Sequence, residues 1–400
     1  MAERKTSSQQ EMNGAWRELP WRKLEQYVYR VQKRIYRASQ RGNRRQVEKR
    51  QKLLLKSEAA RLVAVRRVTQ DNQGKKTAGV DGVKSVPPKE RLLMVKELHT
   101  RRWNNRKKPH PANRVWLPKP GKAEQRPLGI PTMMERAKQA LVKMALEPAW
   151  EAVFEPNSYG FRPGRSSHDA AEAIFNGSKG KSKFVFDADI KGCFDTIDHE
   201  ALLKKLSTFP KLTRLIRGWL KAGVLEGQEF TPTEQGTPQG GVISPLLANV
   251  ALHGMEKVAK EGFGKDHSVE KPILVRYADD FVILHSDKAV LQRVAEKVTT
   301  WLADMGLQLS QKKTRITHTR DTCEGNVGFD FLGFTVRQYR VGKTHTGKGT
   351  NQKPLGYKTL IRPSREAIKR HTQEIRRKLR ELRNAPQERV ISELNPIIRG

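Results

Sequence analysis

Tyr277-Ala278-Asp279-Asp280 stands between two apolar runs, Pro272-Ile273-Leu274-Val275 and Phe281-Val282-Ile283-Leu284. Short apolar runs on either side of a polar link predict strand, turn, strand. Two adjacent carboxylates at a hairpin tip are ordinarily solvated charge. Here the flanking strands are apolar enough to be buried, and an uncompensated charge at the end of a buried strand is unfavourable. Upstream, Phe184-Val185-Phe186-Asp187-Ala188-Asp189-Ile190 repeats the pattern of an apolar run closing on a carboxylate. If the two segments neighbour one another in a sheet, Asp189, Asp279 and Asp280 converge at a shared edge, where divalent cations are the natural compensation. Mg²⁺ takes oxygen ligands, and a pair of such ions can clamp both the attacking and the leaving oxygen of a displacement at phosphorus.

Composition narrows the partner. The chain has 400 residues, 36% of them hydrophobic, enough for a sizeable core divided into two or three subdomains. Lys and Arg number 78 against 42 Asp and Glu, a formal net charge of +36, so the expected partner is a polyanion. Charge alone would also suit a basic structural protein, so the motifs must decide. Cys193 and Cys323 lie far apart without metal-ligand spacing, which supports neither a disulfide framework nor a zinc module and favours a reducing compartment. No stretch approaches the ~20 apolar residues of a membrane span, and the N-terminus has no apolar signal core, so a soluble cytoplasmic protein is expected, with no membrane partner.

Along the chain, Leu24, Val28, Val31 and Ile35, and less cleanly Leu55, Ala59, Leu62 and Arg66, follow helical periodicity and predict two opening helices separated at Arg41-Gly42-Asn43. Their outer faces are crowded with Arg and Lys. Residues 114–130 predict a basic β-hairpin turning at Pro118-Lys119-Pro120-Gly121. Helices are expected over 133–154, 168–175, 199–206, 213–221 and 290–305. Gly236-Thr237-Pro238-Gln239-Gly240-Gly241 precedes a helical run through Leu246 and Val250, so its backbone N–H groups could meet an anion or a closely approaching ligand. Phe329-Asp330-Phe331-Leu332-Gly333-Phe334 predicts a buried strand or tight hairpin, 338–358 a basic exposed loop, and 364–384 a basic amphipathic helix with Ile368, Ile375, Leu379 and Leu382 on one stripe. Mixed strands and helices followed by a helical tail imply an α+β body with a separate helical lobe.

Several of these segments, taken in order, resemble reverse-transcriptase motifs: Arg126-Pro127-Leu128-Gly129-Ile130-Pro131, Asp189-Ile190-Lys191-Gly192-Cys193-Phe194-Asp195, the glycine-rich loop running on to Asn249, and Tyr277-Ala278-Asp279-Asp280. The detail is similar to the group II intron-encoded reverse transcriptase/maturase family. Thr77-Ala78-Gly79-Val80-Asp81-Gly82, Asn157-Ser158-Tyr159-Gly160-Phe161-Arg162-Pro163-Gly164-Arg165, Phe331-Leu332-Gly333-Phe334 and Glu393-Leu394-Asn395-Pro396-Ile397-Ile398-Arg399-Gly400 carry the same resemblance.

The resemblance implies an α+β, right-hand polymerase. It would comprise an N-terminal helical extension with a template-contacting loop (1–85), fingers (86–180), a palm of antiparallel sheet and helices (181–335), and a basic loop with an incomplete helical thumb (336–400). It implies that Asp189, Asp279 and Asp280, with the backbone carbonyl of Ile190, hold two Mg²⁺ ions, for which Mn²⁺ could substitute. Lys119 and Arg126 would grip the triphosphate of an incoming deoxynucleotide, Arg126 through its fixed fork. Phe194 would exclude a 2′-hydroxyl by its rigid ring, and Gln239 would lie along the nucleotide and templating base. Lys313 would meet the leaving pyrophosphate, with Lys312 as its neighbouring rival. Phe331-Leu332-Gly333 would hold the primer end, and Lys75, Lys76 and Thr77 would contact RNA. The implied partners are group II intron RNA, as template and ribonucleoprotein partner, a DNA primer or target, and deoxynucleoside triphosphates. The expected function is RNA-directed DNA synthesis supporting intron mobility. The alternatives are a maturase that assists splicing through its basic surface alone, or a reverse transcriptase of a retron or defence system. The sequence stops within the implied thumb, so a DNA-binding segment and a Cys/His-rich endonuclease module are not expected in it.

Overall fold

The computed structural model describes residues 15–103, 108–118, 125–264, 270–342, 344–349 and 352–399, without the side chains of Gln73 and Lys75. Where two opening helices were expected, it has three: Trp21–Gln40, Arg44–Lys56 and Glu58–Arg66. The extra break falls at Ser57, whose side chain caps the third helix by accepting from the Ala60 N–H. All three pack on the helix Met133–Glu151, with Gln32 Nε2 donating to the Met144 carbonyl at 2.9 Å and Ser39 Oγ to the Ala149 carbonyl at 2.8 Å.

The basic hairpin is present as β1 (Ala112–Pro118) and β2 (Gln125–Ile130), paired with Leu117 opposite Arg126. The next strand, β3 (Phe184–Asp189), belongs to a different sheet. Two short strands, β4 (Val224–Glu226) and β5 (Glu229–Thr231), return to the hairpin in the order β2-β1-β4-β5, and β4 runs parallel to β1 with Ala112 opposite Val224. Three-residue strands leave no periodicity to read, so this pairing was not visible in the sequence.

β6 (Ile273–Tyr277), β7 (Asp280–His285) and β8 (Arg315–His318) join β3 in an antiparallel sheet of order β6-β7-β3-β8. Side chains alternate between its faces. Phe186, Ala188, Phe281 and Ile283 enter the large core, which also holds Leu291, Val294 and Val298 of the helix Lys288–Ala303. Val185, Val275, Val282 and Leu284 face a second core with Phe329, Phe331 and Val336. These belong to β9 (Phe329–Phe331) and β10 (Phe334–Arg340), which with β11 (Tyr357–Pro363) form a separate three-stranded sheet of order β11-β10-β9. Burial on both faces explains why β7 is continuously apolar. The same parity fixes the carboxylates. Asp187 and Asp189 follow Val185, and Asp280 precedes Val282 and Leu284, so all three project from the face covered by β9 and β10.

The segment expected as a loop over 338–358 begins and ends in strand, since 338–340 belong to β10 and 357–358 to β11, and β10 runs unbroken across residues 335 and 336. The tight turn at Leu332-Gly333 lets β10 continue straight out of β9, with Val336, Gln338 and Tyr357 buried. The helices Arg365–Glu381 and Gln387–Arg399 bury no residue. Of the apolar stripe expected on the first, Ile368 and Leu379 stay exposed and Leu382, just past its end, is buried.

Residues 157–165 run beside β6 and complete the support of the carboxylate sheet. The Tyr159 N–H donates to the Arg276 carbonyl, and the Arg276 N–H to that of Asn157, both at 2.9 Å. Buried Arg162 clamps this segment. Its guanidinium pairs with Glu151 through Nε and Nη2 and donates through Nη1 to the carbonyls of Glu155 and Ser158 at 2.8 and 2.6 Å. Removing one partner of such a buried pair leaves the other without compensation, at a cost of about 3–5 kcal/mol. Arg162→Met is therefore expected to lower stability by about 3 kcal/mol, read as a reduced midpoint of urea unfolding.

Candidate active site

The register of β6 and β7 places Tyr277 opposite Asp280 and leaves Ala278-Asp279 as a two-residue turn. Such turns favour glycine or asparagine because the backbone turns left-handed. Here Ala278 takes φ 58°, a conformation that is unfavourable by roughly 1–2 kcal/mol for a residue with a Cβ. The strain is held in place from behind. Arg276 is fully buried; its Nη1 donates to the Ala278 carbonyl and to Asn249 Oδ1, both at 3.0 Å, and its Nη2 to Ser158 Oγ at 2.6 Å. Asn249 Nδ2 in turn donates to the Gly160 carbonyl at 2.8 Å. Burial lowers the Arg276 pKa to about 10, opposed by the charge of Glu155, and the guanidinium stays protonated at neutral pH. Gly160 lies so close beneath the turn that a Cβ on it would sit 2.3 Å from the Ala278 nitrogen.

Asp189 and Asp280 are directly opposed residues of β3 and β7. Desolvation pushes the Asp280 carboxyl well above the ordinary range, although the residue opens on the cleft; the charge of Asp279 and a hydrogen bond with Asp189 add to the shift. Asp279 is likewise raised, first by desolvation and then by the charge of Asp189, while Lys313 and Arg126 act the other way. Lys313 Nζ bonds Asp189 Oδ2 at 2.7 Å, which holds the ammonium pKa above its ordinary value. The bond distinguishes Lys313 from its neighbour Lys312, which lines the same cleft. On the same face Asp187 pairs with Arg315 at 3.0 Å, yet desolvation still raises its pKa. Asp187, Asp189, Asp280, Lys313, Phe331 and Leu332 share a cleft of about 350 Å³. Leu332 and Gly333 both turn left-handed, at φ 52° and 83°, which places the β9–β10 turn at the cleft edge.

The donor chemistry suits hard divalent cations: three crowded carboxylates, two of them destabilised as anions. Among the described residues no three His, Cys, Asp or Glu side chains already close into a ligand set, and Asp189 is engaged by Lys313 and Asp280. Ile190 adds an oxygen on the right side. The bonds flanking its bridge to Leu309 are made by the Lys191 N–H and the Asp189 carbonyl, so the Ile190 carbonyl points away from that strand and toward the β7 side.

Beside this cleft lies a larger one of about 790 Å³, lined by Arg114, Trp116, Phe194, Asp195 and Gln239. Gln239 Nε2 donates to both oxygens of Asp195, at 3.0 and 2.9 Å. Its loop is bound to β2 through the Gly129 N–H and the Gln239 carbonyl at 2.6 Å. Phe194 is half-buried on the short helix Cys193–Thr196. Arg126 is exposed on β2 and acts electrostatically on Asp279. Lys119 lies outside the described residues, as does the side chain of Lys75. Lys76 is exposed, and the Thr77 carbonyl accepts from buried Arg136 at 2.6 Å; neither lines the two clefts. Reasoning from sequence passed over Arg276, Asn249, Ser158 and Arg136. A guanidinium inside the run Leu274-Val275-Arg276 and an amide inside an apolar helix were the available signals.

The family model described as reverse transcriptase (RNA-dependent DNA polymerase) matches residues 117–336, and that described as the N-terminal domain of reverse transcriptase matches residues 16–98. The chain belongs to the reverse transcriptase family. The carboxylate sheet, its turn and the glycine-rich loop all lie within the first match. Similar proteins include the group II intron-encoded protein LtrA of Lactococcus lactis subsp. cremoris, 32% identical over 65% of this chain and 53% of LtrA. Protein YkfC of Escherichia coli (strain K12) is 33% identical over 70% of this chain and 81% of YkfC. The chain thus spans about half the length of LtrA. Among solved structures, apo telomerase from Candida tropicalis, truncated from its C-terminal domain, aligns with a TM-score of 0.45 at 16% identity, covering 56% of this chain and 53% of that one. As a reverse transcriptase the chain implies nucleic-acid partners, and among the described residues no helix is long and apolar enough to cross a membrane.

Because the Gly160 backbone packs directly beneath the turn, Gly160→Ala should displace it. The expected outcome is a loss of about 1–3 kcal/mol in stability, together with a fall in primer extension that exceeds the loss of folded protein. Circular dichroism and extension assays on the same preparation measure the two.

Proposed function

We propose that this reverse transcriptase extends a DNA primer on group II intron RNA and thereby supports intron mobility in the cytoplasm. The observation that carries the reading is the pairing of Asp189 with Asp280 beside Asp279, three carboxylates at adjoining strand ends in a family of RNA-dependent DNA polymerases. Asp189, Asp279, Asp280 and the Ile190 carbonyl would hold two Mg²⁺ ions, or Mn²⁺ in their place. Bound there, divalent cations make the primer 3′-oxygen nucleophilic and neutralise the leaving pyrophosphate.

The chain's own residues supply the rest. Arg126 and Lys119 bind the triphosphate. Lys313 is protonated at neutral pH, its pKa raised further by the bond to Asp189, and it has a proton to give to the leaving pyrophosphate. Gln239, braced by Asp195, lies along the nucleotide and templating base. Phe194 presents a rigid ring where a ribose 2′-oxygen would fall, and Phe331-Leu332-Gly333 positions the primer end. Lys75, Lys76 and Thr77, with the Arg- and Lys-rich opening helices, contact the RNA, consistent with the net charge of +36. In this reading 1–85 is the RNA-binding extension, 86–180 the fingers, 181–335 the palm and 336–400 the basic loop and incomplete thumb.

Asp279→Ala should reduce primer extension on an RNA template at least about a hundredfold while leaving the fold intact. Extension persisting at the level of the unaltered protein would remove Asp279 from the chemistry. Phe194→Val should improve ribonucleotide use relative to deoxynucleotide use by about 10- to 100-fold, measured as a ratio of kcat/KM values. An unchanged ratio would place the sugar gate elsewhere.

A further inference from the structure

Phe161 combines three features that an ordinary surface residue lacks. It is 47% exposed, although large and apolar. Its backbone is left-handed, at φ 60°, which is a true outlier for a bulky residue that has no side-chain oxygen to bond locally. Its ring meets that of Phe194 edge to face, with centroids 6.0 Å apart and planes at 78°.

The strained backbone is determined from both sides. On one side, Gly160 is pressed against the backbone of Tyr277 and Ala278, and its carbonyl is held by Asn249. On the other, Arg162 is buried and locked to Glu151, Glu155 and Ser158. Between these two fixed neighbours the Phe161 ring lies against Phe194. Strain that persists because the surroundings impose it is characteristic of functional sites. Phe194 needs such support. It sits on a four-residue helix, half-buried against the main core, and lines a cleft of about 790 Å³. A steric gate discriminates only if its ring cannot swing away from the 2′-position, and an edge-to-face neighbour restricts that swing.

We propose that Phe161 is a positioning residue for Phe194, fixing its ring so that the site discriminates deoxyribose from ribose. This rests on the reading of Phe194 as the sugar gate. It also links discrimination to the catalytic turn, because the residue preceding Phe161 is the glycine beneath Ala278.

The test is single-nucleotide incorporation on an RNA template by the full chain, comparing ribo- and deoxynucleotide kcat/KM values. Phe161→Gly suits it, because glycine adopts the left-handed backbone without strain and the variant loses only the ring. The ribo-to-deoxy ratio is expected to rise roughly 3- to 10-fold, the equivalent of one aromatic pair. Phe161→Leu should behave similarly, and Phe161→Tyr, which keeps the ring, should hold the original ratio. In a Phe194→Val background Phe161→Gly should add nothing further, since the ring it positions is gone. Three results would overturn the assignment. One is an unchanged ratio in Phe161→Gly while Phe194→Val relaxes discrimination, which leaves the gate standing without Phe161. Another is an equal effect of Phe161→Gly with and without Phe194. The third is weakened primer–template binding at constant ratio, which would make Phe161 a stacking surface for nucleic acid. If Phe194→Val itself leaves the ratio unchanged, the gate reading fails first and the positioning role falls with it.

Discussion

The structure turns on one buried guanidinium. Arg276 sits inside an apolar strand, where a buried charge needs hydrogen-bonding partners; its two Nη groups find them and hold together three parts of the chain distant in sequence, while its Nε has none among the described residues. It ties the carbonyl of a strained turn, the amide of a helix that follows the glycine-rich loop, and the segment beside β6. The carboxylates that define the site are at the surface of this arrangement. Their position is a consequence of what lies behind them.

Electrostatics at the site express an unfinished balance. Asp279 and Asp280 are raised first by desolvation and then by neighbouring negative charge, and the cations nearby, Lys313 and Arg126, lower them only in part. A cluster of this kind favours binding of positive charge from outside the protein. The ion pair between Lys313 and Asp189 acts both ways in that setting: it steadies the carboxylate and raises the pKa of the ammonium.

Much of this was legible in the residues. The carboxylate strands, the basic hairpin and most helices follow from apolar periodicity and from glycine and proline punctuation; that β3 and β7 are neighbours was only a condition until the fold supplied it, and strand parity then sets the side on which Asp189 and Asp280 project. What could not be read has physical reasons. β4 and β5 are too short to carry a period, and β1 finds β4 through tertiary contact more than a hundred residues away in sequence. Ser57 divides a run that is helical on both sides of it. Arg276, Asn249 and Gly160 act on one another only after folding, so no local pattern announces them. The apolar stripe of the terminal helices was read correctly as a stripe, but periodicity does not say what covers it.

The hairpin and the glycine-rich loop have a further mechanical property. β1 is fused to β4 through a parallel pairing, and β2 is bonded to the loop where Gly129 meets Gln239, with Gly240 packed against the Gly129 carbonyl. The hairpin is thereby tied to β4 along one strand and to the loop along the other, so the position of the Gln239 backbone depends on that of β2.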